Sequence, residues 1–585
     1  ARLVAQEKKG ENAEAGGETD GFVYESPLIE QGTVILGGTE QEFGFALRQQ
    51  YFHKSVMLLL QHDEGFTKGI ILNKPSDYEI DGWRVWFGGD VAEGAMFRGA
   101  KEAVGEREII CLHSLEGEQA ERLSMPIIKG VAYTTLDGAK ALVDEGLGKK
   151  SDFWVFVGYA GWAPKQLQGE VERDSWFLAS ADSGTLLKEL LRQGTELPPP
   201  STGVVPGDGL ATWEKLMMQI GRSDEVERTR GCLSDRMLTE WCRVRLIPPT
   251  PRDPAKSAGS SSSSSKDATR DAADDVAAST TADAENGGSV SEAVAEAVAI
   301  GDGISRSGEE EAEEVSGTAG GIVLGSVLRT GSPSNRALLS DQFLHKSILL
   351  VVHELPGSDG GLVACVLNRP TANLVQFHAD GKPRRCISFG GDGRLRGGGL
   401  EIDSNGLMWL GQSSKLEAVG KGKLGKRMGD SGLRRVPAME AAEAIKNGEV
   451  DLDDFLLVSG LVCFERNEMT HMLEDGELYV VEDPTPLWPR VFGLCDATNV
   501  EGDVYGEGGA LLSDGTGVWW AAAQLDKKSS SQGGGDDGAG ADGAPGAVGG
   551  IDQLLAGLQG MPARHIADEA LDEWLKFFAG HKKST

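Results

Sequence analysis

At 585 residues the chain exceeds the ~100–200 residues of one domain, so two or more modules joined by linkers are expected. A formal net charge of −33 disfavours association with phosphate backbones or anionic membrane, which removes direct nucleic-acid binding from the expected functions. No apolar run approaches the ~18–20 residues of a membrane span. Seven cysteines without a CxxC pair argue for a reducing compartment rather than a disulfide framework.

Residues 1–30 are charged and Gly-rich and read as a flexible leader. The fold is expected to begin near Gly32, with a strand at Thr33 to Gly37. In the stretch from Phe52 to Pro75, the run Val56 to Leu60 passes through the polar turn Gln61 to Gly65 into Gly69 to Leu72, which Asn73-Lys74-Pro75 stops. Two short apolar runs around a Gly-containing turn predict a β-hairpin. Val85-Trp86-Phe87 leaves through Gly88-Gly89, read as a strand exit needing glycine's freedom at positive φ.

Glu108 to His113 and Val131 to Tyr133 are further strand candidates. A helix follows, capped by Thr134 or Thr135, with Ala139, Leu142 and Val143 on one face and Gly146 at its end. Phe153 to Tyr159 reads as a buried strand. The next stretch, Gly158-Tyr159-Ala160-Gly161-Trp162, is expected to hand over to a helix with Pro164 in its first turn and Leu167 and Val171 inward. A strand at Trp176 to Ala179 and a helix at Thr185 to Gln193 precede Pro198-Pro199-Pro200. Helices at Leu210 to Gly221 and Asp235 to Leu246 form a tail.

The pattern then repeats. His345-Lys346-Ser347, Ile348 to Val352, Val363 to Val366 and Leu367-Asn368-Arg369-Pro370 restate the hairpin, and Phe389 to Asp392 restates the FGGD of Phe87 to Asp90. A tail pair at Ile551 to Gly560 and Asp568 to Gly580 matches the first, with Asp568 to Trp574 aligned on Asp235 to Trp241. The expected organisation is a core at 31–195 with a two-helix tail at 196–248, and an acidic, Ser-rich disordered linker at 249–317. A divergent second core spans 318–500, followed by an irregular extension at 501–528, a Gly/Asp-rich linker at 529–550 and a helical tail at 551–585.

The hairpin, the FGGD and Gly158 to Trp162, in this order, resemble the YqgE/AlgH family. The resemblance implies an α+β fold for each core, with a bifurcated sheet curled into a pseudo-barrel. The two-helix tail comes from the chain's self-similarity. The family's members are named as transcriptional regulators without an established biochemical activity, and the chain carries no helix-turn-helix with a basic recognition helix to support that name.

Candidate chemistry centres on His53-Lys54-Ser55 and His345-Lys346-Ser347. Strand alternation would keep His53 and Lys54 from converging on one atom while His53 and Ser55 share a face. With no third group to orient the histidine, a nucleophilic role is disfavoured. Lys54 matches the family's basic residue before Ser/Thr-Val and is read as a structural or ligand-anion contact. His62-Asp63-Glu64 reads as a solvated turn, since no metal-ligand spacing occurs among the nine histidines. Gly158 to Trp162 becomes Gly460-Leu461-Val462-Cys463-Phe464 in the second copy, so the first copy is expected to hold the fuller site. Gly429-Asp430-Ser431-Gly432 copies a trypsin-like tetrapeptide by chance, within a mobile basic loop from Lys421 to Arg435.

The resulting expectation is a non-catalytic binding or regulatory module. Its candidate ligand-binding residues are Lys54, Asn73, Gly158, Tyr159, Gly161 and Trp162, with no catalytic residue, metal or cofactor. The alternative is an enzyme or redox protein holding a small anionic ligand in the first copy. An unidentified protein or small molecule is the expected partner, and a plastid the expected location, with the cytoplasm as alternative.

Overall fold

The computed structural model describes residues 22–39, 45–90, 108–196, 207–247, 322–331, 333–355, 361–376, 384–393, 400–417, 424–496, 513–532 and 561–580. The expectations for 1–21, 249–317, Pro198 to Pro200 and the helix Ile551 to Gly560 lie outside these residues. The chain divides into two compact units, 1–42 with 49–249 and 43–48 with 250–585.

Unit 1 carries two six-stranded sheets. The strands are β1 (Val23–Glu25), β2 (Val34–Gly37), β3 (Val56–His62), β4 (Thr67–Ile71), β5 (Pro75–Ile80), β6 (Trp83–Phe87), β7 (Ile109–His113), β8 (Met125–Ile128), β9 (Val131–Thr135), β10 (Phe153–Val157), β11 (Ala160–Trp162) and β12 (Trp176–Ala181). The first sheet runs β1-β12-β2-β3-β4-β11, and the second β5-β6-β10-β7-β9-β8. β6 and β10 pair in parallel, and their neighbours antiparallel. Val56, Leu58 and Leu60 of β3 share one core cluster with Trp86, Ile110, Leu112 and Phe156 of the second sheet, as the period-2 alternation of a strand requires. Met57 and Leu59 are equally buried, so β3 is covered on both faces and its unbroken apolar run is explained.

The helices of unit 1 are α1 (Glu118–Leu123), α2 (Leu136–Asp144), α3 (Gln166–Glu172), α4 (Ser183–Glu196), α5 (Leu210–Gln219), α6 (Ser223–Thr229) and α7 (Leu233–Arg245). Thr135 caps α2 by accepting from Gly138 N at 3.1 Å. The indole of Trp213 on α5 is buried and donates to Gly37 O at 2.9 Å, which fastens this tail helix to β2. Trp241 on α7 packs against Tyr51 and Phe87 at ring separations of 5.4 and 5.0 Å.

Unit 2 has strands β13 (Val327–Thr330), β14 (Ile348–Glu354), β15 (Gly361–Val366), β16 (Pro370–Gln376), β17 (Arg384–Phe389), β18 (Leu407–Gln412), β19 (Lys426–Arg427), β20 (Leu433–Arg435), β21 (Phe455–Ser459), β22 (Val462–Glu465) and β23 (Leu478–Val480). Its sheets run β22-β15-β14-β13-β23 and β16-β17-β21-β18-β20-β19. These orders match unit 1 strand for strand, apart from β1. The parallel pair recurs as β17 with β21, and the bulge of β3 after Leu59 recurs in β14 after Val351. Helices α8 (Asn335–Leu339), α9 (Ala438–Lys446), α10 (Arg466–Glu474), α11 (Trp488–Leu494), α12 (Thr516–Gln532) and α13 (Met561–Phe578) belong to it, with four-residue helices at Phe45–Arg48 and Ser413–Leu416.

Several expectations need correction. Val23–Glu25, placed in the leader, pairs with β12. Gly88 and Gly89 do not adopt positive φ; they are glycine because a Cβ would stand 2.3 Å from Gly158 O and 2.1 Å from the Tyr159 carbonyl carbon. Gly158 to Trp162 does not open a helix, since Ala160–Trp162 is β11, paired with Thr67 to Gly69, and α3 begins only at Gln166. The basic stretch toward Arg435 is a β-hairpin, in which Arg434 is buried and donates to the Leu424 and Gly425 carbonyls. Within the extension expected to be irregular, Thr516 begins α12, whose Trp519 donates to Thr330 O at 2.5 Å as Trp213 does to Gly37 O. The counterpart of α5 is therefore α12 rather than the helix expected at Ile551 to Gly560.

Candidate functional site

His53 and Lys54 do not lie on a regular strand. A single 3-10 turn, Gln50–Phe52, precedes them, and β3 starts only at Val56. Lys54 takes φ +48, in the left-handed region that a non-glycine residue enters at a cost of roughly 1–2 kcal/mol. The alternation expected for a strand is thereby broken, and the two side chains do converge on one atom. His53 Nε2 lies 2.7 Å, and Lys54 Nζ 2.8 Å, from Asp235 Oδ1 in the first turn of α7. Lys54 Nζ also reaches Asp235 Oδ2 at 2.9 Å and Thr229 O at 3.0 Å, and Gly231 N donates to Oδ2 at 2.7 Å. Asp235 is the orienting third group that local sequence reasoning did not find.

Unit 2 builds the same constellation. Lys346 takes φ +52, and His345 Nε2 and Lys346 Nζ stand 2.7 and 2.5 Å from Asp568 Oδ1 on α13. The signal available in the sequence was the repetition of an Asp with each His-Lys-Ser, at the head of Asp235 to Trp241 and of Asp568 to Trp574.

Burial would raise the Asp235 carboxyl, but hydrogen bonds from His53 and Lys54 and the Lys54 charge outweigh it and hold the group at about 2. Burial pushes the His53 imidazole below its ordinary value against the pull of Asp235, so the neutral ring donates Nε2–H to the carboxylate. Its Nδ1 is then a buried lone pair with no partner among the described residues. Ser55 is also fully buried, and its hydroxyl has no partner there, so it lacks both an approach for substrate and a base.

Cys232 Sγ lies 3.9 Å from His53 Nε2, and His53, Cys232 and Asp235 offer three metal-type donors in one place. The group does not fit a metal well. The Lys54 ammonium holds the same carboxylate, and His53 Nδ1 has no second-shell acceptor to fix the ligating tautomer. Burial also raises the Cys232 thiol, so it is not poised as a thiolate.

The remaining candidate residues divide in two. Asn73 adjoins Lys54: its Oδ1 accepts from Val56 N at 2.9 Å, and its amide donates to Lys54 O at 3.1 Å and Gly209 O at 2.9 Å. Asn368 repeats all three contacts with Ile348, Lys346 and Gly515. Next to it, the fully buried Lys74 donates to Asp208 O at 3.0 Å, and burial lowers its pKa; Arg369 replaces it in unit 2, pushed down to about 10 by burial among the carbonyls of Phe343, His345, Lys346, Asn368 and Asp514.

The second group lies on and before β11. Gly158 takes φ +78, and its N–H donates to Glu108 O at 3.0 Å. The Tyr159 ring carries Lys68 Nζ at 4.4 Å. Gly161 pairs with Lys68 of β4, so the backbone here is committed to the sheet rather than turned toward an anion. Trp162 is 3% exposed and donates to Glu170 Oε2 at 2.9 Å, the oxygen that also accepts from Trp176 at 2.8 Å. His62, expected in the turn, is the last residue of β3, paired with Thr67 of β4, and its Nδ1 lies 2.7 Å from the Thr67 hydroxyl.

The AlgH-like family model, DUF179, matches residues 44–195. A UPF0301 protein from Mycobacteroides abscessus is 30% identical over 178 residues, which cover 28% of this chain and 77% of that protein. Another from Mycolicibacterium smegmatis is 31% identical over 170 residues, with the same shares. The solution structure of the AlgH protein from Pseudomonas aeruginosa matches at 17% identity and TM-score 0.22, covering 29% of this chain and 88% of that one. On this sequence similarity, the chain belongs to the YqgE/AlgH family.

Proposed function

We propose that this protein is a non-catalytic binding or regulatory protein in which each His-Lys pair is a clamp for the unit's C-terminal helix rather than a reaction centre. The observation that carries the reading is the shared carboxylate oxygen: in both units one aspartate takes both the histidine Nε2 and the lysine ammonium, so the pair is committed to the C-terminal helix. The regulatory half of the reading rests on the family name. Native mass spectrometry of the full chain, purified without denaturation, tests the proposal by showing whether a ligand or protein partner travels with it. Multiple-turnover conversion of such a ligand that is lost in His53→Asn would overturn the non-catalytic reading.

We further infer that the two units are a tandem duplication of a core with a helical tail, each core being the family's bifurcated sheet; the tail expected as two helices comprises three in unit 1, α5, α6 and α7. Matching sheet orders, the left-handed lysines Lys54 and Lys346, and the paired clamps support this. Limited proteolysis that cuts first between Pro248 and Gly317, yielding two stable fragments, is the expected outcome. Plastid placement is part of the same proposal, supported by a core similar to bacterial proteins set among long low-complexity stretches; fluorescence of the tagged full-length product tests it.

A second reading, a redox protein using a small anionic ligand in unit 1, is favoured by the approach of Cys232 to His53. The raised Cys232 thiol and the engagement of Lys54 with Asp235 place it second.

A further inference from the structure

The first sheet of unit 1 ends in β1, whose outer edge has no neighbouring strand among the described residues. Ser26 N donates to Leu178 O at 2.9 Å and Asp182 N to Phe22 O at 3.2 Å, and Tyr24 stands opposite Ser180. In an antiparallel pair the inward hydrogen bonds fall on alternate residues, here Phe22, Tyr24 and Ser26. The N–H and C=O groups of Val23 and Glu25 therefore point away from β12, toward the open side. The terminal strands of the second sheets carry residues that keep an edge from pairing: Pro75 in β5, Pro126 in β8, Pro370 in β16 and Lys426 in β19. β1 carries none of these.

The side chains of β1 divide between its two faces. Val23 packs against the core, and Glu25 is paired with Arg222 at 2.6 Å, so the only charge on the strand is compensated. On the other face Phe22 and Tyr24 are 56% and 54% exposed, and their rings stack at 5.8 Å. Aromatic rings standing in water beside unpaired backbone groups are what a further strand would cover. The edge is also complementary to itself. When two copies of β1 lie antiparallel about a two-fold axis at Tyr24, each Val23 meets Glu25 of the other copy, and the outward N–H and C=O groups pair. The two Tyr24 residues then face each other at the closer, non-hydrogen-bonded position, and both aromatic stacks lie on one face of a continuous sheet.

We propose that the chain forms a two-fold dimer through the outer edge of β1 in unit 1, with Tyr24 against Tyr24 of a second copy. A copy brings this strand already ordered on β12, so the pairing avoids the entropy cost that a free peptide would incur on becoming extended. Among the described residues the sheets of unit 2 have no counterpart of β1, so the device belongs to unit 1. The contact is short, which places the dimer in the weak, concentration-dependent class. It uses none of the clamp residues, so its failure would leave the clamps of both units, and the reading of the chain as a binding protein, untouched.

The experiment is sedimentation velocity of the full chain from low to high micromolar concentration, combined with charge exchange at the axis. The wild type should convert from monomer to dimer as concentration rises. Because Tyr24 would face its own copy, Tyr24→Lys and Tyr24→Glu should each weaken dimerisation about tenfold or more through like-charge contact. An equimolar mixture of these two variants should restore a dimer containing one of each, which also shows that both are folded. Met439→Lys, the same introduced charge at the 82%-exposed Met439 of α9, should leave association unchanged. In Tyr24→Cys, mild oxidation should yield chain pairs linked from position 24 to position 24, located by peptide mass. A wild type that stays monomeric, even one that takes up an extended peptide at this edge, would overturn the proposal. So would association that continues past the dimer, a dimer unchanged in Tyr24→Lys, failure of the mixture to restore it, equal weakening by Met439→Lys, or absence of the 24-to-24 link.

Discussion

The Lys54 ammonium stands 2.9 Å from Asp235 Oδ2, although 181 positions of chain separate the two residues. Both side chains are almost wholly withdrawn from water, so each charge depends on the other for its compensation. Removing one partner of a buried pair typically costs ~3–5 kcal/mol, because the remaining charge stays desolvated. Asp235→Asn should therefore destabilise unit 1 by about that amount, and hydrogen exchange should show α7 losing protection first. The double variant Lys54→Met/Asp235→Leu should recover the part of the loss due to the uncompensated charge, while the bonds of Asp235 to His53 and Gly231 stay lost. A single-variant cost below ~1 kcal/mol would contradict the clamp.

The pH dependence follows from two depressed groups. His53 has a folded pKa below its ordinary 6.5, so the unfolded chain binds the proton first, and stability should begin to fall as pH drops through 6.5. Asp235 is held at about 2 against 3.8, so its contribution, about 2 kcal/mol, is present above pH 3.8 and disappears as pH falls toward 2. His345 and Asp568 shift in the same directions, the latter also to about 2. Urea unfolding between pH 8 and 2.5 should show two successive losses. His53→Gln should reduce the upper one in unit 1 to the part set by His113, whose imidazole burial also lowers, and a flat profile from pH 7 to 5 in the wild type would contradict the assignment.

The two hairpins, the buried strand at Phe153 and the tail helices at Leu210, Asp235 and Asp568 were legible because they rest on local signals: runs of aliphatic residues, Gly-bearing turns and repeated words; α6 and the place of α12 were not. The clamp was not. Strand alternation was the wrong rule for His53 and Lys54, because a 3-10 turn and a left-handed lysine precede the strand, and neither has a sequence marker comparable to glycine. Asp235 was visible as part of a repeated heptapeptide, yet only the fold brings it to His53 across the chain.

Gly209 offers a test of how the tail enters the core. It takes φ +76, and a Cβ there would lie 1.9 Å from Asn73 O, a backbone atom that cannot yield. Asn73 is itself fixed by three buried hydrogen bonds, so relaxation would break contacts to Val56, Lys54 or Gly209. Gly209→Ala should cost several kcal/mol, well above the ~0.5 kcal/mol of an ordinary exposed substitution. Gly515→Ala, with its Cβ 1.8 Å from Asn368 O, should do the same to unit 2. Calorimetry of the full chain should show one transition displaced by each variant; no displacement in either would contradict the close approach.

Trp162 combines packing with a polar anchor, and the two parts can be separated. Its ring meets Trp176 edge-on at 6.0 Å, Trp176 meets Phe52 at 6.0 Å, and both indoles donate to Glu170 Oε2. Truncation of a buried aromatic costs ~3–5 kcal/mol, so Trp162→Ala should lower the unit 1 transition by many degrees. Trp162→Phe keeps most of the bulk and leaves Glu170 with Trp176 and Gln166, so it should cost only the ~1.5–3 kcal/mol of a bond to a charged group. His53→Ala belongs with the severe variants, because His53 is 1% exposed and bonded to Asp235 rather than standing at an open strand end. In unit 2 the corresponding Phe464 lies under Arg336 at 4.8 Å, so the aromatic bulk survives while its polar companion changes sign. Phe464→Ala should accordingly destabilise unit 2 as Trp162→Ala does unit 1. If Trp162→Ala left stability intact while abolishing binding of a ligand that travels with the wild-type chain, packing would not be the residue's role, and β11 with Glu170 would become the binding site to pursue.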